Sequence, residues 1–169
     1  MIYLVGVDPV FQYVNEDSEE HPEELRGLLI SFLGDNEIDL IAEDFDQADK
    51  EDLDYTEIVG QTVALDHSIS HRFISPDSSE CEEYDIQDYA DLLKIKQMSG
   101  WTEREFEDAV TDSNGRREEF LLEALEHDLN EDSSVLIICQ NINVEGLCDL
   151  LEDESYEYEV IDEMMAESL

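Results

Sequence analysis

The chain has 169 residues, of which 48 are acidic and only 8 are lysine or arginine, so its formal net charge at pH 7 is −40. Hydrophobic residues make up 41% of the composition, which is enough to build the core of one domain. Proteins bind nucleic-acid phosphates and anionic membranes through basic faces, and eight scattered basic residues exclude such a face. The longest apolar run, 135–139, is too short to span a bilayer.

The large acidic excess has three possible explanations. The first is adaptation to a salt-rich cytoplasm, because a screening length of about 3 Å at molar salt removes most repulsion within an acidic surface. Acids spread along the whole chain and only three lysines favour this explanation. The second is mimicry of nucleic acid, in which carboxylates imitate phosphates and inhibit a DNA-binding protein. The third is an acidic protein without either specialisation.

The cysteines indicate a reducing compartment. Cys81, Cys139 and Cys148 are odd in number, and no pair has Cys-x-x-Cys spacing. The first residues are strand-like and do not resemble a secretory signal peptide. We therefore expect a cytoplasmic monomer or dimer. Apolar neighbours indicate core positions for Cys139 and Cys148, while the glutamates around Cys81 raise the pKa expected for its thiol.

The first half of the chain predicts strands that alternate with helices. Ile2–Val7 is an apolar, β-branched run typical of a strand buried on both faces, and 38–42 and 70–74 predict two more strands. Helically spaced leucines predict a helix over 22–34, and a weaker apolar pattern predicts another over 53–65.

The second half predicts a run of helices and then a return to alternation. Residues 77–84 have a loop-like composition, and Thr102 with Glu105 forms a capping box that opens a helix. The other predicted elements are helices at 86–98 and 116–129, a strand at 134–139, a helix at 144–151, a strand at 156–161 and a frayed tail at 162–169.

This order predicts a single α/β domain over residues 1–169. Buried apolar strands that alternate with amphipathic helices are typical of a mostly parallel sheet with helices on both faces. We expect about five strands, with a helical insertion before the fourth. No internal repeat or linker divides the chain.

The predicted sheet also indicates where a ligand would bind. In open parallel sheets, ligands lie beyond the carboxyl ends of the strands, near the point where strand order reverses. Loop residues at these ends, with two arginines, are the candidates for a binding crevice: Asp8, Gln12, Glu43, Asp44, Arg72, Arg117, Asn141 and Asn143. Asp8, Glu43 and Asp44 could also hold a divalent cation, although a chain with 48 acids brings acids to strand ends by chance.

Some of these residues have structural alternatives. Asn143 is suited to cap the helix that follows it, with Asn141 as the rival cap. Arg72 and its neighbour His71 have acids nearby with which to pair. Arg117, at a predicted helix start, opposes the helix dipole, which leaves anion binding or ion pairing as its role. No Gly-x-Ser-x-Gly, Walker or Gly-x-Gly-x-x-Gly motif is present.

Several segments resemble small uncharacterised prokaryotic proteins: 1–7 with 12–13, 38–43, 71–73, 117–120 and 135–140. Their layout is similar to the TraB/PrgY and erythromycin-esterase-like superfamily. There, a Gly-x-x-His motif follows the first strand, a glutamate follows the second, an arginine precedes the late helix, and a second Gly-x-x-His follows a later strand. The resemblance implies a hydrolase-like fold with Glu43 and Arg117 as the matching site residues.

Both histidines of that pattern are missing from this chain. Pro9 ends the first motif, and residues 140–143, Gln-Asn-Ile-Asn, contain neither the glycine nor the histidine of the second. Proline and asparagine cannot act as a general base. The resemblance therefore implies a pseudoenzyme-like protein that binds an unidentified small molecule or protein. The alternatives are a divalent-metal-dependent hydrolase that uses Glu43 and Asp44, and the nucleic-acid mimic.

Overall fold

A computed structural model describes residues 1–15, 20–45, 55–130 and 132–165. The strands are β1 (Ile2–Val7), β2 (Tyr13–Asn15), β3 (Leu40–Glu43), β4 (Tyr55–Ile58), β5 (Ser70–Phe73), β6 (Val135–Gln140) and β7 (Tyr158–Met164). The helices are α1 (Glu20–Asp35), α2 (Val59–His67), α3 (Ser78–Tyr84), α4 (Tyr89–Ser99), α5 (Glu103–Leu125) and α6 (Val144–Asp153), with 3₁₀ turns at Pro9–Phe11 and Asn141–Asn143.

Five strands form one parallel sheet in the order β5-β3-β6-β1-β7. The chain passes from β1 to β3 and leaves a position between them, which β6 fills much later in the sequence. Ile137 of β6 consequently lies in register with Leu4 of β1 on one side and Ala42 of β3 on the other. The carboxyl ends of β3, β6 and β1 are therefore neighbours, and the predicted α/β class is confirmed.

Helices cover both faces of the sheet and enclose two apolar cores. Consecutive strand residues point to opposite faces, so Ile137 packs in one core and Ile138 in the other. The first core is closed by α5 and α6, through residues such as Leu121, and the second by α1 and α2, through residues such as Leu25. Full burial of each such leucine contributes about 2 kcal/mol. No helix within the described ranges is long and apolar enough to cross a membrane.

Residues 77–84, predicted to be a loop, instead contain helix α3. The Asp77 side chain accepts hydrogen bonds from the backbone N–H groups of Ser79 and Glu80, and the Glu80 carboxylate accepts one from the N–H of Asp77. This reciprocal capping box stabilises a short helix that buries none of its own residues. Without a buried face, α3 leaves no apolar periodicity in the sequence, which is why the prediction failed.

Helix α5 is one continuous helix of 23 residues, where two shorter helices were predicted. It begins as expected at the capping box of Thr102 and Glu105. Arg116 and Arg117 therefore lie within the helix, and the predicted helix start at residue 116 is wrong. Gly115 has open space around it and does not interrupt the helix.

The other differences concern the segment before α2 and the carboxyl-terminal strand. Residues 55–58, predicted to be helical, form β4, which pairs antiparallel with β2 in a small second sheet. Strand β7 extends to Met164, so part of the predicted frayed tail at 162–169 is hydrogen-bonded to β1. Residues 166–169 of that tail lie outside the described residues.

Candidate functional site

Asp44 lies at the centre of a buried polar cluster beyond the carboxyl end of β3. Its side chain is 1% exposed and is held from three directions. Oδ1 accepts hydrogen bonds from the Ser75 hydroxyl at 2.6 Å and from Arg117 Nη2 at 2.7 Å. Oδ2 accepts a bond from Asn143 Nδ2 at 3.3 Å. These partners come from the end of β5, the middle of α5 and the turn after β6, so the cluster ties three separate elements together.

Arg117 is the buried cation of this cluster. Its side chain is 14% exposed and reaches from the middle of α5 over the end of β6. Burial lowers the pKa of the guanidinium, but the charges of Asp44 and of the more distant Asp88 outweigh that effect and raise it. Arg117 therefore stays charged, and at this position it forms an ion pair with Asp44.

Glu43 lies on the opposite face of the sheet from Asp44, because side chains alternate along a strand. It is fully buried, with His71 Nε2 at 3.0 Å from Oε2 and Gln12 Nε2 at 3.4 Å from Oε1. The N–H of Gly60 also donates to it. Burial raises the pKa of the Glu43 carboxyl, and the hydrogen bonds from His71 and Gln12 partly offset this rise.

A small cavity lies beside Arg117 on the α5 face of the sheet. This inner cavity of about 120 Å³ is bordered by Arg117, by the turn between α3 and α4, by the middle of α5 and by the loop after β6. Arg117 also borders a wider outer groove of about 520 Å³ that runs between α3 and α4. Ile86, Gln87 and Asp88 line both spaces, so the two adjoin along this turn.

Two residues that line the inner cavity each have one buried side-chain atom without a hydrogen-bond partner, Arg117 Nε and Asn143 Oδ1. Asn143 is 0% exposed, and its amide orientation follows from Nδ2 donating to the Asp44 carboxylate, since the reverse orientation would place two acceptors together. Buried polar atoms are almost always hydrogen-bonded. Both atoms expose less than 1 Å² of surface, so they are enclosed by the side chains around the cavity.

The wall of the inner cavity is fixed by a side-chain link between α5 and the turn before α4. The Ser113 hydroxyl accepts a hydrogen bond from the N–H of Gln87 at 2.7 Å and donates one to its carbonyl at 2.8 Å. Ser113 is 3% exposed. The cavity is thus bounded by a turn that is held in place. Sequence reasoning missed Ser113 because the helix that carries it was expected to begin three residues later.

Glu118 follows Arg117 on α5 and points towards α6 and away from the crevice. A Cβ on Gly146 would lie 1.9 Å from Glu118 Oε2, so only glycine leaves room for this carboxyl against the α6 backbone. Burial, followed by the negative charges of Asp149, Glu119 and Glu145, raises the pKa of Glu118 to about 7. Glu118 is therefore a titratable group inside a packed interface between two helices.

Gln12 and Glu43 lie together on the opposite face of the sheet, and three further predicted crevice residues also lie elsewhere. Arg72 pairs with Asp128 at 2.7 Å and donates to the carbonyl of Ala124, at the end of α5. Asn141 donates to the carbonyl of Met164 at 2.8 Å and to Asp8 Oδ1 at 3.4 Å, which joins the ends of β1, β6 and β7. The sequence placed Asp8 and Asn141 at strand ends and Arg72 within the strand predicted at 70–74, but could not show which neighbours they would meet.

Two further expectations are corrected. Asn143 precedes α6 at its N-cap position, but its side chain binds Asp44 and makes no capping hydrogen bond. The cation site predicted from Asp8, Glu43 and Asp44 is not assembled, because the three carboxylates lie in three separate sets of contacts. Among the residues that the structure describes, no three His, Cys, Asp or Glu side chains are placed to hold a metal ion.

Comparisons with known proteins give no relative from which a role for this site could be inferred. No family model matches the chain, and no curated protein or solved structure is significantly similar to it.

Proposed function

We propose that this protein is a non-catalytic binding protein whose ligand occupies the crevice between Arg117 and Asn143 on the α5 face of the sheet. The observation that carries the proposal is the inner cavity itself, which Arg117 and Asn143 line beyond the carboxyl ends of the strands. The crevice also lies at the carboxyl edge of a parallel sheet, beside the position where β6 enters between β3 and β1, which is where ligands of such sheets bind.

The lining of the inner cavity supports binding without catalysis, because among the described residues no histidine borders it and Asp88 is its one carboxylate. Its polar side chains on the sheet side are Gln140 and Asn143, neither of which exchanges a proton near neutral pH. His71 is paired with Glu43 on the opposite face of the sheet, and neither residue lines the cavity. This arrangement agrees with the resemblance to a hydrolase superfamily whose two Gly-x-x-His motifs are lost here.

The acidic surface supports a second part of the proposal, that the protein works in concentrated salt. Each lysine or arginine within the described residues is already paired with an acid, and most of these pairs are exposed. Among the described lysines and arginines, only Arg117 pairs with a fully buried carboxylate. The remaining negative charge has no cationic partner in the chain, so bulk counterions are the partner left to screen it.

A fragment screen at high salt tests the crevice. The protein is labelled so that the Arg117 Nε–H and the Asn143 side-chain amide are visible by NMR, and a library of small polar fragments is added. We expect hits that shift both resonances and that lose affinity in Arg117→Lys. Arg116→Lys is the matched control, because Arg116 is an exposed neighbour that bonds Asp85. Hits that bind elsewhere, or equally well to both variants, contradict the proposal.

A further inference from the structure

The carboxyl-terminal ends of α5 and α6 form a groove over the first core. This α5–α6 groove has a volume of about 400 Å³ and shares no lining residue with the inner cavity or the outer groove. We propose that it is a docking surface for a basic amphipathic helix of another protein. Three features support this docking surface: the residues that line the groove, the charge at the two helix ends and the composition of the chain. It is independent of the crevice beside Arg117.

Every residue that lines the α5–α6 groove is an acid, a leucine or a tyrosine. The acids are Glu119, Glu123, Glu126, Asp153 and Glu154, and the other residues are Leu122, Leu129, Leu150 and Tyr156. All the acids are exposed, whereas the leucines and the tyrosine are buried or half-buried. The groove therefore has an apolar floor between acidic walls, which complements a helix with one apolar face and basic residues on either side of it.

The negative charge at this groove includes two helix ends. A helix carries partial negative charge at its carboxyl end, where basic side chains are stabilising and acids are not. Neither α5 nor α6 has a basic residue in its last turn. Glu123 and Asp153 lie in those turns instead, and Glu126 and Glu154 directly follow the two helices. Two helix dipoles and five carboxylates thus place negative charge around one apolar surface.

No cation within the described residues compensates this charge. The ion pairs of the described lysines, arginines and histidines all involve other acids. Glu119, Glu123 and Glu126 follow one another at spacings of four and three residues along α5, at which like charges repel. A basic partner would replace this repulsion with attraction.

A helix of another protein is the occupant that fits these features. A second copy of this chain does not fit, because it carries the same net charge of −40 and has only eight scattered basic residues. The acids on α5 extend over about 10 Å of helix, so basic residues three or four positions apart on a docked helix match their spacing. Concentrated salt screens such exposed pairs. Burial of the apolar floor therefore supplies most of the affinity, and the acids select a basic partner.

The experiment titrates an amphipathic peptide of about 18 residues, with leucines at helical spacing and lysines on both sides of them, into the full chain labelled at its leucine methyl groups. The KCl concentration is the lowest at which circular dichroism shows the parent and each variant folded. The peptide is expected to shift the Leu122 and Leu150 methyl resonances. It should bind about tenfold more tightly than the same peptide with glutamates for lysines or with serines for leucines. The triple variant Glu119→Gln, Glu123→Gln, Glu126→Gln should weaken binding about fivefold.

The matched control is the triple variant Glu24→Gln, Glu37→Gln, Glu107→Gln, which removes the same charge from exposed positions outside the groove and should bind the peptide as the parent does. Equal weakening in the two triple variants would show that the peptide responds to net charge, and would overturn the docking surface. So would a failure to bind, or binding that leaves both leucines unshifted. Equal binding of the serine peptide would overturn the apolar contact, and equal binding of the glutamate peptide the basic partner. The fragment screen tests the crevice separately, so either proposal can fail without the other.

Discussion

Asp44 and Arg117 are 73 positions apart in the sequence, yet their side chains meet at 2.7 Å beyond the end of β3. The carboxylate is fully buried and the guanidinium almost so. Two charges removed from water are tolerated only as a pair, so each residue depends on the other more than on its neighbours in sequence. Asp44 also holds Asn143, and both Arg117 and Asn143 line the inner cavity. The interactions that stabilise the fold therefore also position the residues of the candidate site.

This dependence predicts strong coupling between the two charges. Arg117→Gln leaves the Asp44 carboxylate buried without its cation and should lower the free energy of unfolding by about 3 kcal/mol. Asp44→Asn should have a similar effect, and the double variant should lose clearly less than the sum of the two. Urea unfolding at one high KCl concentration measures all four proteins. Additive effects would show that the pair is not coupled.

The close approach of Gly60 to Glu43 makes a second prediction. A Cβ at Gly60 would lie 2.5 Å from Glu43 Oε2 and 2.9 Å from Ile138 Cδ1. Gly60→Ala should therefore lower the free energy of unfolding by about 2 kcal/mol and disturb the His71 imidazole resonances. Gly27→Ala is the control, because Gly27 is exposed on α1 with no atom near its Cβ position, and it should stabilise by up to about 1 kcal/mol. Equal effects of the two substitutions would exclude strain at Glu43.

Glu118 predicts a specific pH dependence of stability. Its pKa rises from an ordinary value of 4.5 to about 7 in the folded protein. Between these values the folded state holds a proton that the unfolded state has released, so this group's contribution to stability falls as pH rises from 4.5 to 7 and is constant above that. Glu118→Gln should therefore be more stable than the parent at pH 8, by on the order of 1 kcal/mol, and should lose this advantage near pH 4.5.

The control for this prediction is Glu107→Gln, which removes the same charge from an exposed position on α5 that is not among the charges acting on Glu118. Both variants reduce the net negative charge equally, so their difference isolates the burial of Glu118. Thermal unfolding over this pH range, at constant high salt, measures that difference. Identical pH profiles for the two variants would show that the Glu118 carboxyl is not desolvated.

The net charge of −40 predicts folding that depends on salt. At low ionic strength the unpaired carboxylates repel each other and destabilise the compact state, whereas at about 3 M KCl the screening length is about 3 Å. The melting temperature followed by circular dichroism should therefore be much higher in about 3 M than in about 0.1 M KCl. Sucrose at matched osmolality is the control, since it does not screen charge. The same melting temperature at both KCl concentrations would leave the acidic surface without a role in salt adaptation.

The helices and strands that could be predicted from the sequence are those whose buried apolar residues recur at regular spacing. Strands β1 and β6 are apolar on both faces, and the leucines of α1 have helical spacing, so each pattern is visible locally. Helix α3 buries no residue, and the β2–β4 ribbon is too short for a repeat to be recognised. Helix α3 depends on its capping box, and β2 and β4 depend on pairing between segments that are far apart in the sequence. Neither dependence is visible in the pattern of neighbouring residues.

The candidate site was predictable only in part. Asp44 and Asn143 follow strands, so the rule for parallel sheets selects them from the sequence, but it also selects Gln12 and Glu43, which lie on the opposite face. Arg117 was selected as a rare cation, and a helix expected to begin at residue 116 concealed its place in the middle of α5. Arg72 was selected as a rare cation beside His71 on a predicted strand, and it pairs with Asp128 instead.

The sequence by itself determined the class of fold, the acidic surface and the residues available at the carboxyl ends of the strands. Only the tertiary structure decided which of these residues meet. Strand β6 lies between β3 and β1 in the sheet, although it is far from both in the sequence. That insertion brings Asn143 to Asp44, and the alternation of side chains along β3 sends Glu43 to the other face. Strand order and pleat are properties of the assembled sheet, so neither the buried ion pair nor the cavity beside it can be read from neighbouring residues.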